Sequence, residues 1–232
     1  RVRLAGRREE VVRAAAAELG AAAAGVACDV TDDTSVDAAV AATVARFGGL
    51  HLAVNAAGTG TIGSVLNSTS AEFGRILDTN LTGVFRSLRA EAKALRAGGG
   101  SIVNVSSIAA ALTHRWMTAY CASKAGLNML TACAADDLGE HGIRVNAVMP
   151  SLVPTELTAP MAANPDVTAE YLSRMPVARL GTTEDVAALV AFLLSDAAGW
   201  ITGQCIAVDG GHTLRQGPDM VRLFRQAMPE ER

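Results

Sequence analysis

Tyr120 and Lys124 stand four residues apart in the run Tyr120-Cys121-Ala122-Ser123-Lys124, a spacing that sets both side chains on one face of a helix. A phenol beside an ammonium is chemistry for moving a proton. A free tyrosine titrates near ~10, so about a thousandth of it is ionised at neutral pH. A neighbouring positive charge favours the phenolate, and a fall of ~3 units takes ~4 kcal/mol of differential stabilisation, within reach of a partly buried site. Taken alone the pair is a short motif that exposed helices also carry. Its weight comes from its company: Ser107 lies thirteen residues before the tyrosine, just past an apolar run, and Asn80 lies earlier in Asp78-Thr79-Asn80-Leu81-Thr82-Gly83.

These groups need a scaffold that brings distant segments together. Short apolar runs alternate with stretches of helical period from end to end, the pattern of βαβ units. The runs predict strands over residues 2–4, 25–28, 50–55, 101–106, 144–148 and 205–208, and helices over 8–19, 33–47, 71–96, 119–140, 156–163 and 184–195. Thr69 with Glu72 forms a capping-box pattern, Thr182 with Asp185 a similar one, and Gly98-Gly99-Gly100 ends the third helix. Continuous apolar strands such as Leu-Ala-Val and Ile-Val-Asn-Val suit a parallel sheet covered on both faces. The expected fold is α/β, a Rossmann-like doubly wound parallel sheet in one domain. Such sheets bind ligands beyond the carboxyl ends of their strands, where Asp29, Asn55, Ser106, Ser107 and Pro150 fall. Residues 164–176, with two prolines, are expected to be a mobile segment over the site. The domain is expected over residues 1–211, with 212–232 as a tail carrying a weak amphipathic pattern of Met220, Leu223, Phe224 and Ala227.

Composition narrows the classes further. The 232 residues are 50% hydrophobic and 19% charged, ample for a large core and far from a disordered chain. With 20 basic against 23 acidic residues the net charge is -3, so no basic field draws the chain to nucleic acid or anionic lipid. Cys28, Cys121, Cys133 and Cys205 show no metal-ligand spacing, and no metal site is expected; buried reduced thiols are. No apolar run reaches the ~18 residues of a membrane span and no signal segment opens the chain, so a cytoplasmic location is expected. His51, His141 and His212 read as structural, and the loop holding His114, Arg115, Trp116 and Met117 reads as a wall that could pack an apolar substrate.

At this point the sequence resembles the classical short-chain dehydrogenase/reductase family, in the style of its 3-oxoacyl-carrier-protein reductase branch. The motifs run in the family's order: Asp29-Val30, Asn55-Ala56-Ala57-Gly58, Asn80, Ser107, Tyr120 with Lys124, Arg144-Val145-Asn146, Pro150, Thr155, and Gln204 to Gly211. The resemblance implies an NAD(P)-dependent oxidoreductase moving a hydride between nicotinamide and a carbonyl or secondary alcohol. Tyr120 would be the general acid/base, Ser107 would bond the same oxygen, with Ser106 only its neighbour, and Lys124 would lower the tyrosine pKa and hold the nicotinamide ribose. Asn80 would position a water in the proton relay. For the cofactor, Asp29 would accept from the adenine amino group with Val30 beside the ring, and Asn55 and Gly58 would shape the strand end around the adenosine ribose. The stretch from Pro150 would offer the Val153 backbone to the carboxamide and Thr155 to the pyrophosphate. Gly6 stands where an acidic residue would bind the ribose 2'-hydroxyl, and Arg7 follows it. An arginine there suits a 2'-phosphate, so NADP is expected over NAD, the bland alternative being a solvated helix-start charge. Partners are then a small-molecule carbonyl or alcohol and a second copy of the chain, in a homodimer or homotetramer packed through the helices at 71–96 and 119–140.

The family's first strand, glycine-rich phosphate loop and first helix have no counterpart in these residues, and Arg1 already lies in the second strand. That absence, with no initiator methionine, leads to the expectation of a longer native chain, and of poor folding or weak cofactor binding for the chain as written. Ala56 stands where many members have asparagine, and Ser151 where glycine usually follows the proline. The rival expectation is a non-catalytic nucleotide-sensing or interaction protein on the same fold.

Overall fold

Parallel neighbours need long crossovers, and every segment between two strands of this chain contains a helix. The structure, a computed structural model, describes residues 1–216; the apolar pattern at Met220 to Ala227 lies outside the described residues. In chain order the elements are β1 (Val2–Gly6), α1 (Glu9–Glu18), β2 (Ala23–Ala27), α2 (Asp33–Phe47), β3 (Leu52–Asn55), α3 (Ser70–Leu77), α4 (Gly83–Leu95), β4 (Gly100–Val105), α5 (Thr118–Gly139), β5 (Ile143–Pro150), α6 (Ala159–Ala162), α7 (Pro165–Arg174), α8 (Thr183–Leu194) and β6 (Cys205–Val208). All strand pairs are parallel, β1 with β2 in one sheet and β3-β4-β5-β6 in another.

Period-two alternation builds a core on each face of the larger sheet. Ile102, Ile143 and Val145 point to one side, against Val84, Leu88 and Leu95 of α4 and Leu127 and Ala135 of α5. Val103 and Val148 point to the other side, against Leu193 and Ala198. A third cluster ties β2 and α2 to α4 through Cys28, Val36, Ala39 and Ala90. Gly25 lets β2 lie directly on α1, since a Cβ there would stand 2.7 Å from the Arg13 backbone nitrogen.

Several expected elements are corrected. The helix expected over 71–96 is interrupted by a π-helical turn at Asp78–Thr82, where the side chain of Asn80 turns inward to partners that helical period cannot reveal. Residues 164–176 hold a helix that the sequence reading did not assign: the Asn164 side chain accepts from the Asp166 and Val167 amides and Pro165 takes the first helical position, a start signal of asparagine then proline. Of the helix expected over 156–163 only Ala159–Ala162 forms. The four cysteines are free, as expected, but only Cys28 is buried and Cys133 is exposed. Among the described residues no helix is long and apolar enough to cross a membrane, and no group of side chains could hold a metal ion.

Candidate active site

The carboxyl end of β4 and the first turns of α5 meet at one cavity of about 270 Å³, whose wall includes Ser107, Met117, Tyr120, Ser151, Leu152 and Tyr171. Ser107 follows β4 directly, and its hydroxyl accepts from the Ala109 amide at 3.1 Å, which caps a short 3₁₀ turn and fixes the side chain at the cavity. Ser106 is buried and bonded to the Lys124 carbonyl, so it is the structural neighbour that its position implied. Tyr120 and Lys124 stand one turn apart on α5, the ammonium 5.8 Å from the phenol ring centroid.

Burial governs the electrostatics of this pair. The Lys124 amine, 4% exposed, is pushed down to about 8 by desolvation. It donates to the Val105 carbonyl at 2.8 Å, which spends one of its three N–H groups. Burial raises the Tyr120 phenol above its ordinary value, and the nearby Ser107 hydroxyl pulls it partly back. The expected lowering of the phenol by the ammonium is therefore not what dominates here: desolvation outweighs it, and the amine is turned toward Val105. A phenol held above its usual range is protonated at neutral pH, ready to donate.

Asn80 is fully buried, and its side chain is committed. Its oxygen accepts from the Thr59 amide at 2.8 Å, while its nitrogen donates to the Thr59 carbonyl at 2.9 Å and the Ser123 hydroxyl at 3.1 Å. It therefore pins the loop after β3 onto α5. The π-helical turn that carries it is the kind of backbone irregularity that recurs at functional sites. A Cβ on Gly58 would stand 3.6 Å from the Asn80 Oδ1 and 3.9 Å from the Lys124 Nζ, so glycine keeps the space before the ammonium open.

The expected nucleotide residues line the strand ends. Asp29 follows β2, and its carboxylate accepts from the Thr31 amide and hydroxyl at 2.9 and 2.8 Å, bonds that hold it below the usual carboxylate range. Val30 packs against Gly83, where a Cβ would come within 2.9 Å of its side chain. Asn55 points inward, donating to Glu91 and Asn104 at 3.0 Å each, and so shapes the end of β3 from within. Pro150 ends β5, and Val153 is buried with its carbonyl accepting from the Thr158 hydroxyl. Thr155 shares a hydrogen bond with the same hydroxyl at 3.0 Å. Arg7 is exposed and has no ion-pair partner among the described residues, whereas Arg8 makes a bidentate pair with Glu156 at 3.3 and 2.8 Å.

Four contributors escaped the sequence reading. Glu91 is a buried carboxyl at the hub of Asn55, and Thr158 organises the loop after β5. Tyr171 enters the cavity from α7, and His212 is bonded to Ser151 at 3.0 Å. The Asn164-Pro165 start signal could have placed Tyr171 on a helix; nothing in sequence spacing joins Glu91 to Asn55.

A family profile described as "Enoyl-(Acyl carrier protein) reductase" matches residues 2–213. The chain is 41% identical over 185 residues to trans-4-hydroxycyclohexanecarboxylate dehydrogenase of Sinomonas cyclohexanicum, covering 80% of this chain and 69% of that protein. A short-chain type dehydrogenase/reductase from Mycobacterium ulcerans superposes with a TM-score of 0.88 at 38% identity, covering 97% of this chain and 85% of that one. A gluconate 5-dehydrogenase from Burkholderia cenocepacia J2315, solved in complex with NADP and tartrate, gives 0.88 at 29% identity, covering 91% and 85%.

Proposed function

Because the chain belongs to the short-chain dehydrogenase/reductase family, we propose that it is an NAD(P)-dependent oxidoreductase interconverting a secondary alcohol and its ketone. One observation carries the reading: the Ser107 and Tyr120 hydroxyls share one cavity wall, with the buried Lys124 amine behind the phenol. The residues present fit a nicotinamide dinucleotide, since Lys124 keeps N–H donors beyond the one given to Val105 and Gly58 leaves room for a ribose diol in front of them. That cofactor, when bound, supplies or accepts the hydride.

The chain's own groups handle the proton. In reduction Tyr120 donates its hydroxyl proton to the carbonyl oxygen while the Ser107 hydroxyl donates a hydrogen bond to the same atom, stabilising the charge that develops there. Tyr120 holds its proton at neutral pH, as reduction requires; oxidation needs the phenolate and gains as pH rises. Lys124, still largely charged at pH 7, favours the phenolate left behind and returns a proton to it. The Asn80 side chain holds the Thr59 loop and α5 in register, which leaves any share in a relay to its main chain in the π-helical turn. A non-catalytic protein on this fold would have no use for the four groups together.

Asp29, Val30, Asn55, Gly58, Pro150, Val153 and Thr155 are the proposed cofactor residues. NADP is the proposed preference, resting on Arg7 at the end of β1 and supported by the NADP complex of the gluconate 5-dehydrogenase. A largely apolar cavity and the alicyclic ring in the name of the trans-4-hydroxycyclohexanecarboxylate dehydrogenase support alicyclic alcohols as the substrate class. Residues 1–211 are proposed as the catalytic domain. A homodimer or homotetramer is proposed through α4 and α5, on which Phe85 and Met129 are exposed. A panel of secondary alcohols and ketones, each with both nucleotides, tests the activity and the preference. Turnover with neither nucleotide would overturn the reading; light scattering showing a monomer at micromolar concentration would overturn the assembly.

A further inference from the structure

The cavity wall carries a second pair of polar side chains that the chemistry above does not use. Tyr171 of α7 and His114 of the loop before α5 line it together with Ser107 and Tyr120, while the rest of the lining is mostly apolar, including Ile62, Leu157 and Met161. The Tyr171 ring lies between two histidines. Its centroid is 5.4 Å from that of His212 in an edge-to-face arrangement and 6.4 Å from that of His114. His212 is itself buried and hydrogen-bonded to Ser151, so the Tyr171 ring rests on a fixed support at the end of the main sheet. Among the described residues the Tyr171 hydroxyl has no protein hydrogen-bond partner.

The Nδ1 of His114 lies 3.1 Å from the Leu112 carbonyl oxygen, which can only accept, so Nδ1 carries a hydrogen and Nε2 is the ring nitrogen left for another partner. Tyr171 thus brings a phenol O–H and His114 an imidazole Nε2 to one cavity lining, neither with a protein partner among the described residues. A hydroxyl is the group that satisfies both at once. No lysine or arginine lines the cavity to offset the charge of a carboxylate. Arg174, the nearest cation on α7, is held by Glu170 at 2.6 Å.

We propose that Tyr171 and His114 are specificity-determining residues that bind a second, neutral hydroxyl of the substrate, so that the preferred substrates are compact alicyclic diols or the matching hydroxy-ketones. The inference rests on the proposed alcohol chemistry at Ser107 and Tyr120. It requires a substrate with an apolar frame and two hydroxyls, to match a mostly apolar wall that holds Ser107, Tyr120, His114 and Tyr171 among its polar groups. It also gives α7 a direct part in recognition.

The test compares trans-1,4-cyclohexanediol with 4-methylcyclohexanol, which has nearly the same shape but lacks the second hydroxyl. Both kcat/KM and calorimetric Kd are measured on the full chain with nucleotide bound. The wild type is expected to favour the diol by at least about tenfold, the discrimination of one well-placed neutral hydrogen bond. Tyr171→Phe and His114→Leu are each expected to collapse that ratio to near parity, and the ratio cancels any general damage from the substitution. A wild type that treats the two alcohols alike, or binds neither, overturns the proposal, as does a ratio that survives Tyr171→Phe. Failure of the chemical reading is distinguishable: full turnover in Tyr120→Phe would sink the proton-donor assignment, while the calorimetric ratio would still decide the diol site.

Discussion

The β1–β2 pair and the β3–β6 sheet are built from the same βα repeat, yet β4 and β5 of the larger sheet are buried far more deeply than β1 and β2. Ile102, Val103, Val145, Ala147 and Val148 of the larger sheet are inaccessible to solvent, whereas no residue of β1 or β2 is fully buried. The difference follows from what covers them. The larger sheet has α4 and α5 on one face and α8 on the other, while α1 contributes one buried residue, Ala16, to the smaller layer. The proton-transfer groups stand on the well-covered sheet and its helix α5; Arg7 and Asp29, proposed to read the nucleotide, stand at the ends of the thinly covered strands. The proton-transfer groups thus stand by the more deeply buried strands, while Arg7 and Asp29 stand at the ends of more exposed ones.

The contrast breaks first at Tyr120. Tyr120→Phe is expected to cost at least ~10² in turnover, the loss expected for a positioned acid, with nucleotide affinity nearly unchanged because only the proton donor is deleted. Lys124→Ala should damage both, since the amine serves phenol and ribose together. Steady-state rates and a nucleotide titration check the pair, and a Tyr120→Phe variant keeping more than about a tenth of its rate would move the chemistry off α5.

Stability should divide the two regions in the same way. Leu127→Ala, at a fully buried position packed under β4 and β5, is expected to lower unfolding free energy by about 2–5 kcal/mol. Val2→Ala, at a half-exposed position on β1, is expected to change it by no more than about 0.5 kcal/mol. Chemical denaturation of both variants reads the difference; equal losses would mean that the smaller layer shares the main core after all.

Glu91 sharpens the comparison through pH. It lies on α4, buried, with its carboxylate accepting from Asn55 at 3.0 Å and no cation paired with it among the described residues, and desolvation raises it from 4.5 to about 7. The folded state therefore holds this proton at a pH where the unfolded chain has released it. The group's contribution is most favourable below about 4.5, falls as pH rises from there to about 7, and stays at its least favourable level above. Glu91→Gln keeps the acceptor oxygen and removes the titration. It should raise stability at pH 8 by up to about 3 kcal/mol and flatten the decline between those two values, measured by denaturant unfolding across pH. A variant as pH-sensitive as the wild type would show that another buried group titrates.

What the sequence made legible follows the same division of physics. Strand runs such as Cys205–Val208, the helix Asp33–Phe47 and the capping boxes at Thr69 and Thr182 were readable because apolar period and cap chemistry are local. Tyr120 and Lys124 were readable as a pair because four residues is one helical turn. The π-helical turn was not, because it is held by Asn80 reaching Thr59 and Ser123 across more than twenty and forty residues of chain. Tyr171 and Glu91 were missed for the same reason: each gains its role from partners that only the tertiary fold supplies, and a lone tyrosine in a segment with two prolines looks like loop.

The smallest expected effect lies at the rim of the thin layer, where Arg8 and Glu156 face each other across the opening between the ends of β1 and β5. Both side chains are largely exposed, so the pair should add nothing measurable to stability. Its interest is competition: a 2'-phosphate bound at Arg7 would also attract the guanidinium beside it, and Glu156 holds that guanidinium away. Glu156→Gln frees Arg8 and should raise the NADPH over NADH ratio of kcat/KM on the order of threefold, the scale of a screened surface charge. The gain should shrink with added salt, because exposed charges are screened within about 10 Å at 0.1 M ionic strength. A ratio that does not move, or moves toward NADH, would place the nucleotide's distal phosphate away from β1 and leave Arg7 as a solvated helix-start charge.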